Sequence, residues 1–107
     1  MPRCKNLGRK AQMKTNLKLF KLYVGHNNTT QKRFSEDLIC NLCDRFFQGY
    51  TILKTNGFYL GNKEESYLIE IVSHEENQVN KLKSLLQQRL KQDSILKTSY
   101  PLDTAEF

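Results

Sequence analysis

The stretch Thr55-Asn56-Gly57-Phe58-Tyr59-Leu60-Gly61-Asn62-Lys63-Glu64-Glu65-Ser66 gathers a phenol, two glycines and two adjacent carboxylates between two runs of strand-forming residues. A Tyr hydroxyl beside a carboxylate at a strand end can hold a cationic ligand by hydrogen bonding and charge, with Phe58 or Tyr67 available for cation–π contact. His26 stands just past another predicted strand, where loops often line sites, but nothing near it in sequence completes a catalytic pair. The chain shows no Ser-His-Asp arrangement, P-loop, Gly-x-Gly-x-x-Gly or His-rich metal signature, so phosphoryl transfer, dinucleotide chemistry and metallohydrolysis lack support. Cys40-x-x-Cys43 falls inside a predicted helix without the two further ligands of a zinc site or the strand and exposed helix start of a redox motif; it reads as structural thiols.

These residues need a scaffold, and the pattern supplies one. Leu17 to Val24 is rich in strand formers and ends at Gly25; a polar loop, His26 to Thr30, follows. Ser35 can cap a helix with Glu36 and Asp37 in its first turn and an apolar stripe of Leu38, Ile39, Leu42, Cys43, Phe46 and Phe47, closed by Gly49. Tyr50 to Leu60 and Ser66 to Val72 read as strands of a hairpin. Ser73-His74-Glu75-Glu76 has the form of a capping box before a stripe of Val79, Leu82, Leu85, Leu86 and Leu90, and Ser94 to Thr98 makes a last strand.

The order β-α-β-β-α-β predicts an α+β, ferredoxin-like sandwich: a four-stranded antiparallel sheet with both helices on one face. The predicted organisation is a basic tail over residues 1–16, a domain over 17–99 and a C-terminal tail over 100–107. If the hairpin loop has an odd length, Gly61 to Lys63, Tyr59 faces Glu65; a one-residue change of register puts Glu64 there instead. Either way both sheet faces carry too many apolar residues to stay wet, so the face without helices is expected to be buried between subunits.

Bulk composition agrees with a small folded domain. At 107 residues the chain buries only about two-thirds of its unfolded surface on folding. Its net charge of +6 comes from Arg3, Lys5, Arg9, Lys10, Lys14, Lys18 and Lys21, which precede the first acid; the remainder is near neutral. A solvated basic extension explains this without a nucleic-acid partner. An RNA-binding domain of this topology would carry exposed aromatics on the strand that here reads Ser66-Tyr67-Leu68-Ile69-Glu70-Ile71-Val72, where Glu70 repels phosphate. With no apolar run of about 20 residues and three cysteines outside any secretory context, the expectation is a soluble, cytoplasmic protein without a disulfide framework.

Thr55-x-Gly57-x-Tyr59, then Glu64-Glu65, an amphipathic helix and Gln92-Asp93-Ser94-Ile95-Leu96 together resemble the bacteriophage S-adenosylmethionine lyases, formerly called SAM hydrolases, over residues 51–98. The loop between Tyr59 and Glu64 is shorter here, and a C-terminal extension of some members is missing. The resemblance implies a PII-like trimer and a reaction in which the substrate's own carboxylate expels methylthioadenosine and leaves homoserine lactone. It implies Glu65 and Tyr59 as catalytic residues, with Glu64, Gly57, Phe58, Tyr67 and His26 around the substrate and no cofactor besides S-adenosylmethionine as substrate. A PII-like module that binds a small ligand or a protein without catalysis is the alternative; it would bind without turnover.

Overall fold

Eight elements make up the computed structural model, which describes residues 12–14 and 16–106. They are β1 (Gln12–Lys14), β2 (Lys18–Val24), α1 (Glu36–Cys43), β3 (Thr51–Tyr59), β4 (Asn62–Ser73), α2 (Glu76–Arg89), β5 (Leu96–Pro101) and β6 (Thr104–Glu106). The main sheet runs β3-β4-β2-β5 with every neighbouring pair antiparallel. With α1 and α2 on one face this is the expected ferredoxin-like sandwich. A second sheet pairs β1 with β6. Leu102 donates its amide to the Leu17 carbonyl between the two pairings, so the β2 and β5 edge continues into the smaller ribbon.

The alternation of the strands explains which face the helices cover. Phe20, Leu22 and Val24 of β2 lie opposite Ile71, Ile69 and Tyr67 of β4, and all six are buried. Ile39, Leu42 and Cys43 of α1 and Val79, Leu82 and Leu86 of α2 close over them. Each fully buried aliphatic of this kind contributes about 1.5–3 kcal/mol relative to exposure. The other face carries Leu19, Lys21 and Tyr23 beside Val72, Glu70 and Leu68, flanked by Leu53 on β3 and by Leu96 and Tyr100 on β5. Tyr23, Leu53, Val72, Leu96 and Tyr100 are exposed there. The Lys21 ammonium bridges Glu70 at 3.9 Å and sits 5.4 Å above the Tyr100 ring.

Helix α1 begins as expected: the Ser35 hydroxyl accepts from the Leu38 amide, and Glu36 and Asp37 lie at the positive end of the macrodipole. It stops earlier than its apolar stripe. The amides of Phe46 and Phe47 both reach back to the Cys43 carbonyl, so the chain tightens into a turn that still packs both rings against the core. Tyr50 pins this turn, its hydroxyl bonding the Asp44 carboxylate at 2.5 Å. The capping box at α2 does not form. Glu75 occupies the cap position without a side-chain bond, and the Ser73 hydroxyl instead accepts from the Glu75 amide at 2.9 Å, a local turn that competes with the cap.

The last strand starts and ends later than expected because its partner is β2: Lys18 pairs with Pro101 and Tyr23 with Leu96. Strands β1 and β6 fall within stretches read as tails, while residues 1–11 of the expected basic extension lie outside the described residues.

Candidate functional site

The hairpin that carries the sequence motif closes through two residues. Tyr59 pairs with Asn62, leaving Leu60 at φ 51° and Gly61 at φ 81° as the central pair, both left-handed. Two positive φ values in a two-residue loop make a type I′ turn, whose twist suits a strand pair. Neither pairing weighed from the sequence, Tyr59 opposite Glu65 across a three-residue loop or opposite Glu64 after a one-residue change, forms. An even loop shifts the parity, and Gly57 stands opposite Glu64, Asn56 opposite Glu65 and Thr55 opposite Ser66. Tyr59, Glu64 and Gly57 share the face without helices; Phe58, Asn56 and Glu65 turn to the helix side.

On the open face, Glu64 meets His26. The imidazole Nδ1 lies 3.4 Å from the Glu64 carboxylate, and both side chains are largely buried, 17% and 26% exposed. His26 is reached by a chain that leaves β2 at Gly25. A Cβ at Gly25 would lie 2.8 Å from the Gln92 side-chain oxygen, so the glycine lets Gln92 approach, and Gln92 donates to the His26 carbonyl at 3.2 Å. Opposite Glu64, Gly57 has no side chain, and a Cβ there would meet only the Glu64 carbonyl at 4.0 Å. One rung further, the hydroxyls of Thr55 and Ser66 bond at 2.7 Å. Tyr59 is diagonal to Glu64, a relation that separates Cα atoms by roughly 7–8 Å and leaves a phenol within reach. Its ring is 67% exposed.

The arrangement is an acceptor carboxylate beside an imidazole, facing a gap at Gly57 and flanked by an exposed phenol and a hydroxyl pair. It suits a cationic ligand group. Among the described residues no group of three His, Cys, Asp or Glu could hold a metal ion.

The remaining sequence candidates fall elsewhere. Tyr67 is buried in the core, and burial, followed by the nearby Glu36 carboxylate, raises its phenol pKa; it packs and does not line an open site. Phe58 is 73% exposed on the helix side of the hairpin tip, away from Glu64. Glu65 is engaged by Arg33, whose Nη1 donates to its carboxylate at 3.3 Å. Cys43, buried in α1, has its thiol pushed up to about 12 by burial first and then by Cys40 and Asp44, which keeps it protonated and inert.

Arg33 was invisible as a site component in sequence. Its partners lie 22 to 33 positions away, and no local pattern marks an arginine in a polar loop as a cross-link. The Thr55–Ser66 hydroxyl pair became legible only with the even register.

No protein family profile and no curated protein matches the sequence; the likeness to known proteins is structural. A phage SAM lyase in complex with S-methyl-5′-thioadenosine superposes with a TM-score of 0.64 at 18% identity, over 86% of this chain and 89% of that one. CutA from Synechococcus elongatus, complexed with a Bis-Tris molecule, gives 0.59 at 14% identity over 89% of each chain. A DUF3240 family protein from Shewanella baltica gives 0.55 at 19% identity, over 82% of this chain and 91% of that one. Identities this low speak to the fold. The chain has the ferredoxin-like, PII-like fold that it shares with a phage SAM lyase and with CutA.

Proposed function

We propose that the protein is an S-adenosylmethionine lyase whose site lies on the open sheet face, around Glu64, Gly57 and Tyr59, and is completed by further copies of the chain, most simply in a trimer. One observation carries the reading: the acidic residue nearest Tyr59 on its face of the hairpin, Glu64, is largely buried and stands opposite a glycine, in a fold that matches a phage SAM lyase over 86% of the chain. In the proposed reaction the substrate's carboxylate oxygen attacks its own γ-carbon. The carbon–sulfur bond breaks with its electron pair going to sulfur, so the sulfonium becomes neutral methylthioadenosine and the amino-acid part leaves as homoserine lactone. Atoms and charge balance without added water, metal or cofactor.

Nucleophile and leaving group arrive on one molecule, so the protein's task is to fold the methionyl chain into attack geometry. Orientation of this kind supplies on the order of 7–11 kcal/mol. Glu64 would hold the ammonium or sulfonium charge, with His26 fixing its carboxylate. Tyr59 would orient the amino-acid part by hydrogen bonding, and the gap at Gly57 would admit the ligand against the sheet. The exposed apolar residues around Tyr23, Leu53, Val72, Leu96 and Tyr100 would pack against neighbouring subunits and exclude water from the sulfonium carbon.

The test is incubation of purified protein with S-adenosylmethionine and mass spectrometry for methylthioadenosine together with homoserine lactone. Both products are expected. Glu64→Gln and Tyr59→Phe should lower turnover, Glu64→Gln by roughly 10²–10³-fold as for other preorganised electrostatic contacts, with oligomer size on gel filtration unchanged. Absence of both products at high enzyme concentration refutes the lyase reading. The likeness to CutA holding a small molecule favours a second reading, a ligand-binding module without turnover. It predicts calorimetric binding of methylthioadenosine or S-adenosylmethionine with no product.

A further inference from the structure

Among the described residues Arg33 makes the densest set of side-chain hydrogen bonds, and the reading above gives it no task. Its guanidinium donates through Nε to the Ser66 carbonyl at 3.1 Å, through Nη1 to the Glu65 carboxylate at 3.3 Å, and through Nη2 to the Thr55 carbonyl at 3.2 Å and the Asn56 side-chain oxygen at 3.3 Å. Thr55 and Ser66 form one rung of the hairpin, and Asn56 and Glu65 form the next. One planar group thus ties both strands at two successive rungs, on the helix side. On the opposite side of those rungs stand the Thr55–Ser66 hydroxyl pair and, one residue on, Glu64.

The arginine is itself anchored. The preceding loop closes on Asn27, whose amide donates to the Lys32 carbonyl at 2.8 Å and whose side-chain oxygen accepts from the Thr29 amide at 2.8 Å. Two residues later Ser35 caps α1. The Arg33 side chain is 21% exposed and that of Glu65 32%. A flexible ammonium could not span four acceptors arranged in this fork.

We infer that Arg33 is a positioning residue: it locks the helix side of the β3–β4 hairpin, with Glu65 as one of its anchors, so that Glu64 on the other side stays against His26. The catalytic half of this statement rests on the lyase reading; the geometric half does not. Glu65 is then a brace, and the two neighbouring glutamates divide the labour by the parity of the strand.

The experiment compares wild type with Arg33→Ala, Arg33→Lys, Glu65→Gln and Glu64→Gln. Turnover of S-adenosylmethionine is measured across substrate concentrations, together with amide hydrogen exchange over the whole chain and the imidazole resonances of His26. In Arg33→Ala, exchange between residues 55 and 66 should rise about tenfold or more while the core is unchanged, and the His26 resonances should move. Turnover efficiency should fall by roughly 10- to 100-fold, mainly through KM, as for other residues that orient a ligand-contacting group. Arg33→Lys should recover part of the loss, and Glu65→Gln, which removes the charge but keeps an acceptor oxygen for Arg33, should lose less than Glu64→Gln.

If the wild type is active and Arg33→Ala keeps its kinetics, or if exchange rises uniformly through the core, the inference is overturned. A Glu65→Gln loss equal to that of Glu64→Gln overturns it too. If the wild type shows no turnover, the lyase reading falls and exchange with the His26 signal decides alone. A localised rise with moved resonances then upholds the positioning role, and any other pattern removes it.

Discussion

Leu60 is expected to be worth more to this protein's function than to its stability, and Leu60→Asn separates the two. The residue sits at φ 51° in the first central position of the hairpin turn with 84% of its surface exposed. A left-handed conformation costs an L-residue with a branched side chain roughly 1–2 kcal/mol. The small buried fraction of Leu60 returns only about 0.2–0.5 kcal/mol, taken as its share of the burial of a whole leucine. Asparagine tolerates the left-handed region and, followed by Gly61, gives the favoured type I′ pair. Leu60→Asn should therefore stabilise the isolated chain by about 1 kcal/mol, a rise in Tm of about 4–8 °C for a domain of this size. Leu60→Ala keeps the Cβ and hence the strain, and should leave stability within about 0.5 kcal/mol. Urea titration at low protein concentration is the assay, with an unchanged slope and a raised midpoint as the expected result. A lowered midpoint for Leu60→Asn would show that Leu60 makes contacts that outweigh its strain and would refute the reasoning. If the stabilised variant also turns over less substrate or assembles less well, the strained apolar tip is retained for docking, as strain at functional positions often is.

Two further outcomes follow from the sheet. Glu76, at the start of α2, meets Lys97 at 2.8 Å and Lys18 at 3.4 Å, and hydrogen bonding and charge from Lys97, then Lys18, hold its carboxyl below its ordinary value of 4.5. A depressed carboxyl stabilises the fold above that ordinary value, and the contribution is lost as pH falls through the folded pKa; Tm against pH should therefore drop less steeply on the acid side for Glu76→Gln than for wild type. The Thr98 hydroxyl is buried without a hydrogen-bond partner among the described residues. Since an unsatisfied buried hydroxyl costs roughly 1–3 kcal/mol, Thr98→Val should raise the denaturation midpoint, and a fall in midpoint would mean that the hydroxyl is satisfied in solution.

The fold was readable because its signals are local and repeated. Ser35 with Glu36 and Asp37 announces α1, the leucines of α2 recur at helical spacing, and β2 and β4 alternate around Phe20, Leu22, Ile69 and Ile71. The boundaries were less legible. The α1 stripe runs on through Phe46 and Phe47 because a turn that continues to bury its rings keeps helical spacing after the helix has ended. The capping box at Ser73 fails because a Ser hydroxyl has a competing local bond available two residues on, and composition alone does not rank the two. The β1–β6 ribbon left no sequence signal, being two three-residue strands from opposite ends of the chain.

The site shows why a motif can be found while its geometry is misread. Gly57, Tyr59, Glu64 and His26 were all singled out, and the structure brings Glu64 and His26 to 3.4 Å. What sequence could not assign was the parity of the hairpin, because Leu60 breaks the usual rule that such a turn opens with Asn, Asp or Gly. With Leu at that position the turn reads as strand, and the partner of Tyr59 moves by three positions, from Glu65 to Asn62. Any odd displacement of register moves every side chain of a strand to the other face. The consequence is confined to polar neighbours: the core survives the error because Ile69 and Ile71 are fixed independently by β2, whereas Glu64 and Glu65 exchange faces. Two adjacent carboxylates on an extended strand point to opposite faces of the sheet. One meets His26 on the open face and the other meets Arg33 beneath it. Two adjacent glutamates in a sequence of this kind are thus better read as one group on the open sheet face and one anchor on the helix side, with the turn length deciding which is which.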